Sequence, residues 1–199
     1  MSRIVLIDGE NLTYGLRSIL TTSQKLVSRD ILKSFQYRAM IEEMLEDKLP
    51  NKIIWYGARL KQYDQSSIIS EKSKEAIRNQ SYFVNDLIRQ KIDFVKVGYL
   101  RARETEPCKN CGNSSWKLAE KGVDVGIAVR ILIEAFAKNE VVVISADTDL
   151  LPAFKAAQDI KAKIMNIGYE NRPIFSLSKV SNSTRLITLP LVKKYITKP

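Results

Sequence analysis

Residues 141–150, VVVISADTDL, decide the fold class of this chain. Four β-branched apolar residues run into Ser145 and then into two acids, Asp147 and Asp149, separated by one threonine. A continuous apolar run reads as a strand buried on both faces, as parallel sheets require. The same pattern opens the chain. In residues 4–11, IVLIDGEN, an apolar run stops at Asp8, Gly9 permits a turn, and Asn11 falls one turn into a following helix.

Working outward, strands and helices alternate. Ser2 to Ile7 is the first predicted strand, followed by a short helix to about Ile19 and a polar loop over Thr21 to Ser28. Ser28 is placed to cap a helix reaching about Asp47, because Ile31, Phe35, Met40, Met44 and Leu45 recur at helical spacing. Pro50-Asn51 breaks the chain, and KIIWYG (52–57) is the second strand. Gly57 to Asp64 reads as an exposed loop carrying Arg59 and Lys61. A long helix from about Ser66 to Gln90 precedes a third strand, IDFVKVGYL (92–100). Residues of about 101–119 show neither period and read as a polar loop insertion within a single domain of residues 1–199. A helix over Asp124 to Ala137, the strand VVVIS, a helix over Leu151 to Gln158 and the strand AKIMNIG (162–168) follow. Beyond Pro173 come a short helix, a strand-like RLITLP (185–190) and a basic tail. This order predicts an α/β fold with a central, mostly parallel sheet flanked by helices on both faces.

Composition narrows the function. Hydrophobic residues make up 45% of 199, enough for a core, and no apolar run is long enough to span a bilayer. The start of the chain lacks a signal-peptide h-region, so no membrane role and a cytoplasmic location are expected. The formal net charge is +10, from 32 Lys and Arg against 22 Asp and Glu. A basic chain that still carries an acidic cluster suits a polyanion as partner and a cation at the cluster. The absence of histidine excludes a Ser-His-Asp triad, a Cys-His pair and imidazole metal ligands. Neither GxGxxG after the first strand nor GxxxxGK[ST] occurs, which removes the usual nucleotide-binding loops.

In open parallel sheets, ligands collect outside the carboxyl ends of the strands. If the strands before Asp8 and Asp147 are neighbours, both acids meet there. Asp149 lies two residues on, and Asp124, after Gly122 at a helix start, can enter the same crevice. The amide of Asn11 would complete the shell or orient a ligand. Each acid alone could merely cap a helix, but together they repel, and a divalent cation relieves that cost. An all-oxygen set favours Mg²⁺ or Mn²⁺ over Zn²⁺.

Arg59, Lys61, Arg101, Arg103, Lys117 and Lys121 follow strands or lie in the insertion, with Tyr56, Tyr99 and Trp116 interleaved. Cations for phosphates and rings for stacking are what single-stranded RNA binding uses. Cys108 and Cys111 form one CxxC. A structural Zn²⁺ needs four ligands, so the pair would require acids such as Glu104 and Glu106, or a homodimer in which two chains share the ion. Free thiols of a relic knuckle and a redox pair are the alternatives.

Three segments, IVLIDGENL (4–12), EKGVDVGIAVRIL (120–132) and VVVISADTDLLPAF (141–154), resemble the NYN domain family of PIN-like nucleases, in particular its LabA-like branch. The resemblance spans about residues 3–168. It implies a PIN-like fold, a divalent-metal site of Asp8, Asp124, Asp147 and Asp149 with Asn11 beside it, and ribonuclease activity. Ala146 stands where family members often carry Gly, and Arg130 where many carry an acid, so one ion is better supported than two. LabA-like relatives often hold a CxxC in this insertion, which favours a folding or dimer role for the pair over catalysis. The expected function is therefore a metal-dependent hydrolase that cleaves single-stranded RNA with metal-activated water. A non-catalytic RNA-binding or regulatory module with a residual metal site is the first alternative, and a small-molecule phosphatase or nucleotidase the second.

Overall fold

In the computed structural model, Arg3–Asp8 forms the innermost strand, β1, and all six of its residues are buried. The structure describes residues 1–21, 26–64, 67–107, 111–112, 114, 116–173 and 175–196. After β1 come α1 (Gly9–Leu20), a 3-10 turn (Arg29–Leu32), α2 (Tyr37–Met44), β2 (Lys52–Arg59) and α3 (Ser67–Arg89). β3 (Asp93–Glu104), β4 (Trp116–Lys121), α4 (Val123–Phe136) and β5 (Glu140–Ile144) follow. A second 3-10 turn (Thr148–Leu150) leads into α5 (Leu151–Asp159), β6 (Ile164–Tyr169), α6 (Phe175–Lys179), β7 (Ser183–Ile187) and α7 (Leu189–Tyr195).

The strands form one sheet in the order β4-β3-β2-β1-β5-β6-β7. Six are parallel, and β4 runs antiparallel to β3. Because side chains alternate along a strand, each buried strand serves two cores. Val5, Ile7, Ile53, Trp55, Val142 and Ile144 face the layer of α1, α2, α3 and α7. Ile4, Leu6, Ile54, Tyr56, Val141 and Val143 face α4, α5 and α6. The expected α/β architecture, helices on both faces included, is present. Among the described residues, no helix is long and apolar enough to cross a membrane.

The structure corrects four local expectations. Ser28 does accept a hydrogen bond from the Asp30 N–H, but the turn it caps ends at Leu32 and Ser34 takes a positive φ of 63°. The helix resumes only at Tyr37. Phe35 and Tyr37 are the cause: both are fully buried in one core with ring centroids 4.8 Å apart. A continuous helix would send residues two apart to opposite sides. In the supposed loop after Gly57, β2 continues to Arg59, and buried Tyr63 donates its N–H to Ser73 Oγ (3.1 Å) and its hydroxyl to the Leu100 carbonyl. The two ends of the supposed loop insertion of about 101–119 are paired strand, β3 reaching Glu104 and β4 returning from Trp116. The basic tail contains α7, whose Val192 is buried and whose Tyr195 carbonyl accepts from the Gln36 N–H (3.1 Å).

At the amino end of the sheet, the Arg3 guanidinium is buried between Glu140 (2.7 Å) and Asp47 (3.0 Å) and donates to the Lys48 carbonyl (2.5 Å). This ties the starts of β1 and β5 to the turn after α2. On the α1 side, Gly15 meets the ring of Tyr169 on β6, and a Cβ at residue 15 would lie 2.3 Å from a ring carbon. Gly15→Ala is therefore expected to lower stability by about 1–3 kcal/mol despite the better helix propensity of alanine. Urea denaturation followed by circular dichroism checks it, and an unchanged or raised midpoint contradicts this packing.

Candidate metal centre at the carboxyl end of the sheet

β1 and β5 pair in parallel up to Ile7 and Ile144, where the ladder ends at the carboxyl end of the sheet. A set of short bonds clasps the two exits. Asp8 caps α1 by accepting from the Asn11 N–H through Oδ1 (3.1 Å), and its Oδ2 accepts from the Ser145 hydroxyl (3.0 Å). Ser145 Oγ in turn accepts from the Asp147 N–H (3.1 Å). Asn11 Oδ1 accepts from the Ala146 N–H (2.9 Å), and Asp147 Oδ1 from the Asp149 N–H (2.9 Å). From β6, Asn166 Nδ2 donates to the Ser145 carbonyl (3.0 Å), fixing the serine from below. Asp124 arrives from the other layer, in the first turn of α4, where Gly122 turns the chain with a φ of 87°.

Asp8, Asp124 and Asp147 each present a carboxylate oxygen, and the three oxygens lie within 4.8 Å of one another. None of the three is in an ion pair among the described residues. They line a crevice of about 350 Å³ together with Glu10, Asn11, Tyr14 and Arg172. Unit charges about 4 Å apart repel by about 4 kcal/mol at an effective dielectric near 20. Burial pushes the Asp8 carboxyl up to about 7, against the pull of its hydrogen bonds from Asn11 and Ser145, and the Asp124 and Asp147 charges add to the rise. Asp124 is also raised, by burial first and then by Asp147. Three hard oxygen donors, converging with no ion-pair partner among the described residues, fit a hard divalent cation.

Asp149 stands outside this triangle. It is exposed, yet near enough for its charge to raise Asp124. The oxygen of Asn11 accepts from the Ala146 N–H, a bond only an oxygen can accept, which fixes the amide's orientation and leaves its NH₂ as the donor. The predicted cations Arg59, Lys61, Arg101, Arg103 and Lys121 are exposed and do not line the crevice. Lys61 lies over the Tyr63 ring (5.1 Å). Lys117 is placed by its backbone opposite Arg103, and its side chain is not described. Arg130 is paired with buried Glu134 (2.5 Å) and does not line the crevice.

Sequence reasoning missed Arg172 and Tyr14, whose ring lies 6.0 Å from the Arg172 guanidinium. Both had a signal: Tyr14 is three residues beyond Asn11 on α1, and Arg172 follows the carboxyl end of β6, the position rule that found Asp8. Cys108 lies outside the described residues, and Cys111 is an exposed free thiol. Among the described residues, the acid triangle is the one group of three or more metal-ligating side chains, so no zinc site is assembled around Cys111 there.

A parallel sheet of this order, flanked on both faces and with acids converging at its carboxyl end, is a nuclease-type, PIN-like fold. The NYN domain model matches residues 3–189, nearly the whole chain, and the chain belongs to the NYN domain family. A crystal structure of a protein of unknown function from Vibrio parahaemolyticus shares the fold, with a TM-score of 0.60, 16% sequence identity, and coverage of 94% of this chain and 93% of that one. No curated protein matches the chain.

The Asp8 shift sets a pH dependence. The folded state keeps this proton to about pH 7, whereas the unfolded chain releases it near 3.8. Between those values the folded state binds the extra proton, so stability from this group falls as pH rises, by a ceiling of about 4 kcal/mol, and is level above. Metal-free Asp8→Asn protein, which cannot ionise there, is expected to melt above wild type near pH 8, with the margin shrinking toward pH 4. Melting in EDTA across that range checks it, and a margin independent of pH contradicts the assignment.

Proposed function

We propose that this chain is a divalent-metal-dependent ribonuclease of the LabA-like branch, cleaving phosphodiester bonds of single-stranded RNA. The observation that carries the proposal is the triangle of Asp8, Asp124 and Asp147, three carboxylate oxygens within 4.8 Å of one another at the carboxyl end of the central strands, none in an ion pair among the described residues. Asp8, Asp124 and Asp147 hold the ion, Mg²⁺ or Mn²⁺, with Asp149 as the fourth acid beside them. When bound, such an ion makes water a stronger acid and neutralises the phosphate oxygens.

The remaining roles fall to groups already in place. With no histidine in the chain, a carboxylate is the side chain placed to accept the proton of the attacking water, and exposed Asp149, whose charge reaches Asp124, takes that role in this proposal. Asn11 donates from its NH₂ to a phosphate oxygen or to that water. Arg172 supplies positive charge on the α1 side of the crevice, with Tyr14 as a neighbouring surface for a base or ribose. Exposed Arg59, Lys61, Arg101, Arg103 and Lys121, with Lys117, attract the RNA backbone, as the net charge of +10 favours. The chain acts from the cytoplasm in this proposal, and the CxxC has a folding or pairing role rather than a chemical one.

Asp147→Asn is the decisive variant. An asparagine oxygen can still cap the Asp149 N–H, so the fold is expected to survive while Mn²⁺-dependent cleavage of an unstructured RNA drops to background. Gel analysis of labelled RNA in Mn²⁺, Mg²⁺ and EDTA checks this. Full cleavage by the variant sinks the metal assignment. RNA binding that EDTA leaves intact, with no cleavage in either ion, instead marks a non-catalytic RNA-binding module.

A further inference from the structure

β3 does not stop where the metal centre does. Asp8 is in register with Tyr56 on β2, and Tyr56 with Val95 on β3, so these three residues stand at one level of the sheet. β3 then continues to Glu104 and is paired by β4 all the way back to Lys121. From Val95 to Arg103 the strand climbs roughly 26 Å beyond the level of the acids, at about 3.3 Å per residue. The pair forms an arm rising from the end of the sheet where the crevice lies.

The arm has two unlike sides. Residues directly opposite in an antiparallel pair project from the same face, and alternate residues share it. The register sets Tyr99 against Lys121, Arg101 against Ala119 and Arg103 against Lys117. One face therefore carries Tyr99, Arg101, Arg103 and Lys121, all exposed, with the Lys117 position at its outer end. The other face turns Leu100 toward the core beneath α4. None of Arg101, Arg103 and Lys121 is in an ion pair among the described residues, although acids elsewhere on the chain are paired.

The root of the arm is locked to the site. Gly98 has a φ of 67°, and a Cβ there would lie 2.1 Å from the Lys121 carbonyl oxygen. The Tyr63 hydroxyl donates to the Leu100 carbonyl. β4 ends at Lys121, Gly122 turns the chain, and Asp124 follows in the first turn of α4. A strand of RNA lying on the arm is thereby led to the acids by continuous chain.

We propose that the β3–β4 arm is the substrate track. It holds the RNA on one side of the scissile bond as an extended single strand, phosphates on Arg101, Arg103 and Lys121 and a base on Tyr99. This rests on the ribonuclease proposal above and adds substrate form and length to it. Cations two residues apart on a strand, roughly 6.6 Å, suit successive phosphates of an extended chain, and ring stacking takes a base freed from a duplex. The track spans about four nucleotides by the same arithmetic, so the chain favours long unstructured RNA over very short RNA.

The test uses the full chain, wild type and Arg101→Glu/Arg103→Glu, in two assays. In EDTA, binding of a labelled unstructured RNA is measured against salt. The wild-type slope of log K against log salt is expected to be steeper, more negative by about 1.4, than that of the Arg101→Gln/Arg103→Gln protein, and Arg101→Lys/Arg103→Lys is expected to keep the wild-type slope. In Mn²⁺, kcat/KM is compared for long RNA and a dinucleotide. The ratio between them is expected to fall roughly tenfold or more in the Glu variant, as two phosphate contacts are lost. A wild type that cleaves, with a variant that keeps both the ratio and the slope, overturns the track and leaves the nuclease standing. A wild type that never cleaves, with a slope that falls in the Gln variant, overturns the nuclease and leaves the track. Equal use of hairpin and unstructured RNA by the wild type also overturns the track.

Discussion

Asp8 is a carboxylate withdrawn from water at the join of β1 and α1, and the rest of the site is arranged around that constraint. Burying an ionised group without partners costs several kcal/mol, so the group must be hydrogen-bonded, neutralised or paired. Here it is hydrogen-bonded on both oxygens, by the Asn11 N–H and the Ser145 hydroxyl. Those two donors belong to the elements that also carry Asn11 and Asp147. The same bonds that make Asp8 tolerable therefore set where its neighbours stand. Asn166, reaching from β6 to the Ser145 carbonyl, extends this control to a third strand.

Charge is divided between the two ends of the sheet. At the amino end a network of ions is internally paired: Arg3 by Glu140 and Asp47, Lys48 by Glu140, Arg185 by Asp47. At the carboxyl end three acids converge without an ion-pair partner among the described residues, and one face of the arm beside them carries exposed cations. Exposed ion pairs are worth little individually, but charges of one sign left unanswered on a defined surface create a field. That contrast separates structural charge from charge available to a ligand more sharply than the net value of +10 does.

Much of this was legible in the sequence because two-sided burial leaves a plain mark. The apolar runs before Asp8 and Asp147 identified the central strands, and the rule that ligands gather at carboxyl ends of strands brought the acids together. Asp124 was found from its place after Gly122. What escaped was whatever depends on partners far along the chain. Ser34 breaks a helix that local periodicity supports, because Phe35 and Tyr37 both have to enter one core. The β3–β4 arm escaped because its alternation is short: Leu100 and Ala102 alternate with Arg101 and Arg103, but Glu104 then takes the inner-face register and a polar stretch follows. Asn11 was correctly placed, but its oxygen serves the Ala146 N–H, a bond no spacing announces.

The central strand is also the earliest to be made. β1 pairs with residues 52–56 on one side and 140–144 on the other, and Ser145 reaches back 137 positions to Asp8. Contacts this remote in sequence form late, after the costly closure of a long loop. On a ribosome the acids stay scattered along the emerging polypeptide until the segment beyond β5 has cleared the exit tunnel. Until then, whatever chemistry the centre performs is silent, while the newborn protein lies close to its own messenger.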